Sequence, residues 1–190
     1  MRLSFVQSLM LAAAAAAQSQ AAAAAESWRI DPARTRIGFT IESSAWPTTR
    51  GSFQKFDGRV SLDFDHPARS SVRFSVQSSS VEAGSKGLND YIRSAVFFDA
   101  AKYPTMSFAS TAVTKVDDRT VQVQGDLTLL GVTKPITLTV NVDRTRRGGA
   151  AVGLSARGQV MRSAFGMNSG VPIINDRVDI VVTTEAVGAP

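Results

Sequence analysis

Residues 121–143 decide the fold class of this chain: they read VQVQGDLTLLGVTKPITLTVNVD and alternate apolar with polar side chains in two runs. Alternation with a period of two is typical of a β-strand with one buried and one solvated face. The interruption from Gly131 to Pro135 separates the runs, and glycine and proline favour turns. The segment therefore predicts two long strands joined by a turn.

The same alternation recurs along the chain. It involves Ile37, Phe39 and Ile41; Val60, Leu62 and Phe64; Val72, Phe74 and Val76; Val152, Leu154 and Ala156; and Val178, Ile180 and Val182. Many strands with short links predict an antiparallel sandwich or an up-and-down barrel. The runs over 52–65 and 106–115 are long for a sandwich, and closure leaves no strand edge exposed, so we favour an all-β barrel.

Residues 85–94 are the one good helix candidate. Leu88, Tyr91 and Ile92 share one face at helical spacing, while Lys86 and the pair Asn89-Asp90 lie away from it. Two placements stay open, a lid at one mouth of the barrel or a surface helix packed on the sheet.

The composition excludes several kinds of chemistry. The 190 residues include no cysteine and one histidine, with a formal net charge of +5. Disulfides, cysteine nucleophiles and cysteine or multi-histidine metal sites are therefore excluded. The histidine, His66, reads as a solvated turn residue. We predict no enzyme activity, no catalytic residue and no metal site, and one alternative stays open, an acid-tyrosine arrangement of Asp99 with Tyr91 or Tyr103.

The N-terminus has the pattern of a secretory signal peptide. A positive start at Arg2 precedes an apolar run, and small residues end at Ala25. The alternative, a membrane anchor, needs about 20 apolar residues, more than this run supplies. We predict a signal peptide over 1–25, one domain over 26–190 and a periplasmic location.

A series of short motifs covers the rest of the chain. In order they are Trp28-Arg29-Ile30-Asp31-Pro32, Ile37-Gly38-Phe39, Gly51-Ser52-Phe53, Phe56-Asp57-Gly58, Tyr91-Ile92-Arg93-Ser94, Phe97-Phe98-Asp99, Tyr103-Pro104, Phe108, Gly125-Asp126-Leu127-Thr128, Gly131-Val132-Thr133-Lys134-Pro135 and Phe165-Gly166-Met167. Their order resembles the YceI-like family of bacterial periplasmic proteins. The resemblance implies an eight-stranded antiparallel lipocalin-like barrel with a short helix. It also implies that the apolar bore holds a polyisoprenoid, such as a respiratory quinone or a polyprenyl diphosphate, and that no cofactor is required.

Large apolar side chains on the inward face and in the irregular segments are the predicted lipid contacts. They are Phe39, Ile41, Trp46, Phe53, Leu88, Tyr91, Ile92, Phe97, Phe98, Met106, Phe108, Leu127, Leu129, Phe165, Met167 and Ile173. The alternative is that inward side chains fill the barrel and leave no cavity. Residues 166–174 are interpreted as a mobile flap or a strand connection near a mouth.

Several positions depart from the family pattern. Arg34-Thr35 replaces a His-Ser pair, Ser43 replaces a second histidine, and neutral residues stand on the helix and at Val96. If those groups contact a lipid head in relatives, this chain should accept a different head, a less polar one, or none.

Two sets of arginines need an interpretation. One set is predicted to lie at the exposed end of a β-hairpin, with contact to anionic lipid as the alternative. It consists of Arg144, Arg146 and Arg147. Arg34, Arg36, Arg50 and Arg93 could gather at one mouth and hold a diphosphate. Nucleic acid is excluded as a partner, because acidic residues interleave the basic ones.

An isoprenoid lipid is the predicted partner. A homodimer and transient contact with the inner membrane stay open. The rival function is an interaction module for a respiratory cytochrome or a stress response, in which the lipid is only structural.

Overall fold

A computed structural model describes residues 26–143 and 151–188 of the chain. The predicted signal peptide and the arginines at 144, 146 and 147 lie outside the described residues.

The described chain folds as strands with a single α-helix. The strands, numbered β1 to β11 in chain order, are Glu26–Ile30, Arg36–Ser43, Thr49–Phe53, Phe56–Leu62, Ser71–Gln77, Val81–Glu82, Thr105–Lys115, Thr120–Leu129, Val132–Asp143, Ala151–Met161 and Ile174–Gly188. The helix, α1, spans Lys86–Arg93. Within the described ranges, no helix is long and apolar enough to cross a membrane.

All eleven strands belong to one curled antiparallel sheet. Their order is β1-β4-β5-β7-β8-β9-β10-β11-β2-β3-β6, and β1 also pairs with β11, where Ile30 lies opposite Ala186. The sheet thus turns back on itself and encloses a space, which we call the bore. The sandwich alternative is wrong, because a sandwich requires two separate sheets.

The strand count differs from the predicted eight, because three long runs are interrupted. A 3-10 turn over Pro32–Arg34 separates β1 from β2, although both strands pair with β11. Gln54 and Lys55 separate β3 from β4, and the 3-10 turn over Ser78–Ser80 separates β5 from β6. At each interruption the backbone hydrogen bonds between neighbouring strands stop for a few residues. The alternation of side chains does not reveal such a break.

The helix α1 forms where predicted, and its cap explains its start. The hydroxyl of Ser85 accepts a hydrogen bond from the N–H of Leu88. One predicted orientation is wrong, since Asn89 is buried. Its amide donates to the carboxylate of Glu82 at 2.8 Å and accepts from the N–H of Ala83 at 2.7 Å. Asn89 therefore attaches the helix to β6. The spacing of apolar residues within the helix does not reveal this contact.

Glycines on the inward face lie against bulky side chains of neighbouring strands. Gly51 pairs with Phe39, and Gly58 pairs with Phe74. A Cβ at Gly51 would collide with the Phe39 ring, and one at Gly58 would lie 3.0 Å from that of Phe74. The rings thus occupy space over the glycine backbone. They lie along the wall of the bore instead of across it.

We predict that Gly125→Ala destabilises the fold, whereas Gly87→Ala does not. A methyl group at Gly125 would lie 2.6 Å from the carbonyl oxygen of Ala109 and would overlap the Phe108 ring. Overpacking of this kind costs about 1–3 kcal/mol. Nothing lies within 4 Å of a Cβ at Gly87, which is in α1. There alanine should raise the unfolding free energy by up to about 1 kcal/mol. Urea denaturation measures both changes, and equal stability of the two variants would contradict the close packing.

Candidate functional site

The bore is an open apolar cavity of about 260 Å³. Its lining includes Phe74, Ile136 and Val182, which come from three different strands, and Leu88, Tyr91 and Ile92 of α1. A water molecule takes about 30 Å³ of liquid volume, so the bore has room for on the order of ten water-sized groups. The alternative of a completely filled barrel is therefore wrong.

The helix covers one end of the bore. Its side chains line the cavity together with Phe97 and Phe98 of the following turn. The rings of Tyr91 and Phe97 meet edge to face at 5.2 Å, and Phe98 lies 5.7 Å from the ring of Phe53. These contacts favour the lid placement over a helix packed on the outer surface. We call this the helix end of the bore.

The structure brings most of the predicted contacts to the bore. The predicted residues that line it are Phe39, Ile41, Phe53, Leu88, Tyr91, Ile92, Phe97, Phe98, Met106, Phe108, Leu127, Leu129 and Met167. Their lipid contact stays a prediction, because the geometry places them without a ligand.

Three predicted contacts do not line the bore. Phe165 is 2% exposed and packs in the core. Trp46 is 67% exposed and Ile173 is 49% exposed, so both face outward. The hydroxyl of Ser43 donates to the carbonyl of Ile173 and accepts from the N–H of Trp46, which holds the two segments together. Large size and position in an irregular segment therefore do not predict which side these three residues face.

Sequence reasoning missed one charged side chain in the wall. Arg162, in the 3-10 turn Arg162–Phe165 after β10, is 1% exposed and lines the bore. It is the one charged residue among the described residues of the lining. Its carbon Cζ lies 5.9 Å from the centre of the Phe97 ring, so it belongs to the helix end. Only its place just before the Phe165-Gly166-Met167 motif could have drawn attention to it.

Arg162 fastens the connection between β10 and β11. Its Nη1 donates to the carbonyl of Met167 at 2.7 Å, and its Nη2 donates to that of Ile174 at 3.0 Å. Its Nε donates to the carbonyl of Asn175 at 3.0 Å. Since these bonds hold both ends of the 166–174 segment, the segment is a fastened strand connection, and the flap interpretation finds no support.

A carboxylate supports the same turn from the other side. Asp176 accepts from the hydroxyl of Ser163 at 2.6 Å and from its N–H at 2.7 Å. These two hydrogen bonds, with a smaller contribution from the charge of Arg162, hold the pKa of Asp176 below its ordinary value. Burial lowers the pKa of Arg162, and the charge of Asp176 opposes that shift.

The four arginines predicted to gather at one mouth do not line the bore. Arg34 donates to the carboxylate of Glu185 at 2.7 Å, and Arg93 donates to the carbonyl of Val81 at 2.8 Å. The possible diphosphate cluster therefore finds no support among the lining residues, and it stays a prediction. His66 lies in an exposed turn, as predicted, with Nδ1 3.6 Å from Asp63.

The site can enclose a long apolar molecule and meet one polar group at the helix end. Over residues 26–143 and 151–188, no group of three His, Cys, Asp or Glu side chains could hold a metal ion. The predicted absence of catalysis stays a prediction.

Comparisons with known proteins agree with this architecture. Protein YceI of Escherichia coli O157:H7 is 32% identical over 154 residues, covering 80% of each chain. The crystal structure of BcnA from Burkholderia cenocepacia superimposes with a TM-score of 0.77 at 28% identity, covering 83% of this chain and 99% of that one.

A more distant solved structure shares the fold. It is a polyisoprenoid binding domain from Saccharophagus degradans, with a TM-score of 0.69 at 15% identity, covering 87% of this chain and 99% of that one. Residues 28–186, nearly the whole described chain, match the family model of the YceI-like domain. The chain belongs to the YceI-like domain family.

Proposed function

We propose that this protein binds one isoprenoid lipid in its bore and carries it, without catalysing a reaction. The observation that supports this most directly is the open apolar cavity, whose lining contains one charged residue among the described side chains. The name of the Saccharophagus domain, which shares the fold, points to the same class of ligand.

The size of the bore fits part of an isoprenoid tail. Room for on the order of ten water-sized groups corresponds to roughly two five-carbon units. Each unit removed from water contributes about 3–4 kcal/mol at 0.8 kcal/mol per carbon. A few units therefore offset the cost of ordering a flexible chain. The lipid is a quinone or polyprenyl type, held as cargo and not as a required cofactor.

The proposed location is the periplasm. It rests on the signal-peptide pattern of residues 1–25 and on the resemblance described above. A carrier there would move an isoprenoid through water between membranes, which an enclosed apolar bore makes feasible.

We expect protein purified from the periplasm to carry a lipid. Native mass spectrometry should show an added mass of several hundred daltons that organic solvent removes, and mass analysis of the extract should identify an isoprenoid. Repeated recovery of empty protein from cells grown under several conditions would contradict the proposal.

We expect Val182→Asn to weaken lipid binding, whereas Val181→Asn leaves it unchanged. Both are neighbouring valines of β11, but Val182 lines the bore and Val181 faces solvent. An amide without a partner in an apolar site costs about 1–3 kcal/mol, so affinity should fall about fivefold or more. Titration with a fluorescent isoprenoid measures the affinity of each variant, and circular dichroism checks that each variant is folded. Equal affinity of the two variants would exclude the bore as the site.

Transient contact with the inner membrane remains part of the proposal. Trp46 and Ile173 are exposed, and Ser43 bonds to both segments. Tryptophan favours the membrane interface.

The chain has two tryptophans, and the other, Trp28, is buried, so Trp46 can report on membrane contact by itself. We expect its emission to shift to shorter wavelength on mixing with lipid vesicles, because the indole leaves water. The shift should disappear in Trp46→Phe. An unchanged spectrum of the wild-type protein would argue against membrane contact through this surface.

A further inference from the structure

Arg162 is the one charged side chain among the described residues that line a largely apolar bore. Its side chain is 1% exposed, yet it lines the cavity next to Met167, Ile174 and Phe97. Burial of a charged group is costly unless hydrogen bonds and a counter-charge compensate for it. The hydrogen bonds and counter-charge that the protein gives Arg162 therefore indicate which ligand group could bind beside it.

The hydrogen bonds of Arg162 are incomplete. A guanidinium group has five N–H donors, and three of them donate to the carbonyls of Met167, Ile174 and Asn175. Each of Nη1 and Nη2 keeps one N–H without an acceptor among the described residues. The carbonyls that hold these nitrogens belong to the segment that contributes Met167 and Ile174 to the lining. Since Arg162 itself lines the bore, a ligand at the helix end lies next to this guanidinium group.

The charge of Arg162 is also incompletely matched. No carboxylate of the described residues forms an ion pair with it within 4.0 Å. The acid whose charge acts on it, Asp176, directs its two oxygens to Ser163. Burial accordingly lowers the pKa of Arg162. A negative oxygen inside the bore would supply the counter-charge that the protein itself does not place there.

We infer that Arg162 receives an anionic oxygen of the head of the bound lipid, a phosphate or a carboxylate, while the tail lies along the apolar bore. This inference rests on the proposed function. A guanidinium with two N–H groups on adjacent nitrogens matches the two oxygens of such a head. The centre of the Phe97 ring lies 5.9 Å from Cζ of Arg162, so this ring bounds the space for the lipid head on one side. The polar head is thus recognised by a buried arginine, although neutral residues replace the family's charged groups on the helix.

Three ligands with one tail test this inference: farnesyl monophosphate, farnesoic acid and farnesol. Wild-type protein should bind the two anions about tenfold or more tightly than the alcohol, since a hydrogen bond to a charged group contributes about 1.5–3 kcal/mol. Arg162→Gln should bind all three with equal affinity. The ratio of anion to alcohol affinity is the readout, because general loosening of the fold weakens all three together.

Two variants serve as controls. Ser163→Ala removes the hydroxyl that bonds to Asp176, so it loosens the same turn while keeping the guanidinium. Arg34→Gln removes an arginine that pairs with Glu185 and does not line the bore. Both should keep the wild-type preference for the anions. Loss of the preference in Ser163→Ala as complete as in Arg162→Gln would show that Arg162 only positions the turn, and would overturn the inference.

The outcomes separate the two proposals. Failure of all three ligands to bind would refute isoprenoid binding itself, whereas equal binding of the three by wild-type protein would refute only the role of Arg162. The relative affinity of phosphate and carboxylate identifies which anion the site prefers.

If Arg162→Gln does not fold, an experiment on the wild-type protein still tests the inference. In protein labelled with ¹⁵N-arginine, the slowly exchanging guanidinium resonance of buried Arg162 should shift with farnesyl monophosphate and stay in place with farnesol. A shift of the same size with farnesol would overturn the inference. So would a shift with inorganic phosphate alone, because the anion would then not need a lipid tail.

Discussion

The bore depends on a packing constraint between neighbouring strands: bulky inward side chains must have a glycine or a gap beside them. Phe39 lies over Gly51, Phe74 over Gly58 and Leu138 over Gly158. Without these glycines the same side chains would project across the bore, because no space would remain over the backbone. The space left inside the bore therefore depends on large side chains that lie opposite glycines.

The connection between β10 and β11 depends on burial of one charged group. Arg162 holds this connection by three hydrogen bonds, and Asp176 holds the preceding turn through Ser163. The arginine thus has a structural role in a segment that also contributes to the cavity wall. The same group is the one charged side chain among the described residues that line the bore.

The sequence predicted the all-β class, α1 and the apolar face of each strand, since all three follow from periodicity, whereas the ligand-holding bore was implied by the resemblance to the YceI-like family. Phe108 and Leu129 line the bore because alternation fixes the face on which a strand residue lies. Trp46, Phe165 and Ile173 were misplaced because they lie in turns, where no period fixes direction. The strand count was wrong for a related reason, since interruptions such as Pro32–Arg34 leave the alternation on either side intact.

The sequence by itself determined which residues form strands and which face of each strand is apolar, because both depend on neighbours along the chain. Only the tertiary structure decided that the sheet curls until β1 meets β11, and that the inward side chains leave space between them. It also decided the place of Arg162. In the sequence this residue is one arginine among many, and its burial and its partners depend on contacts that only chain folding creates.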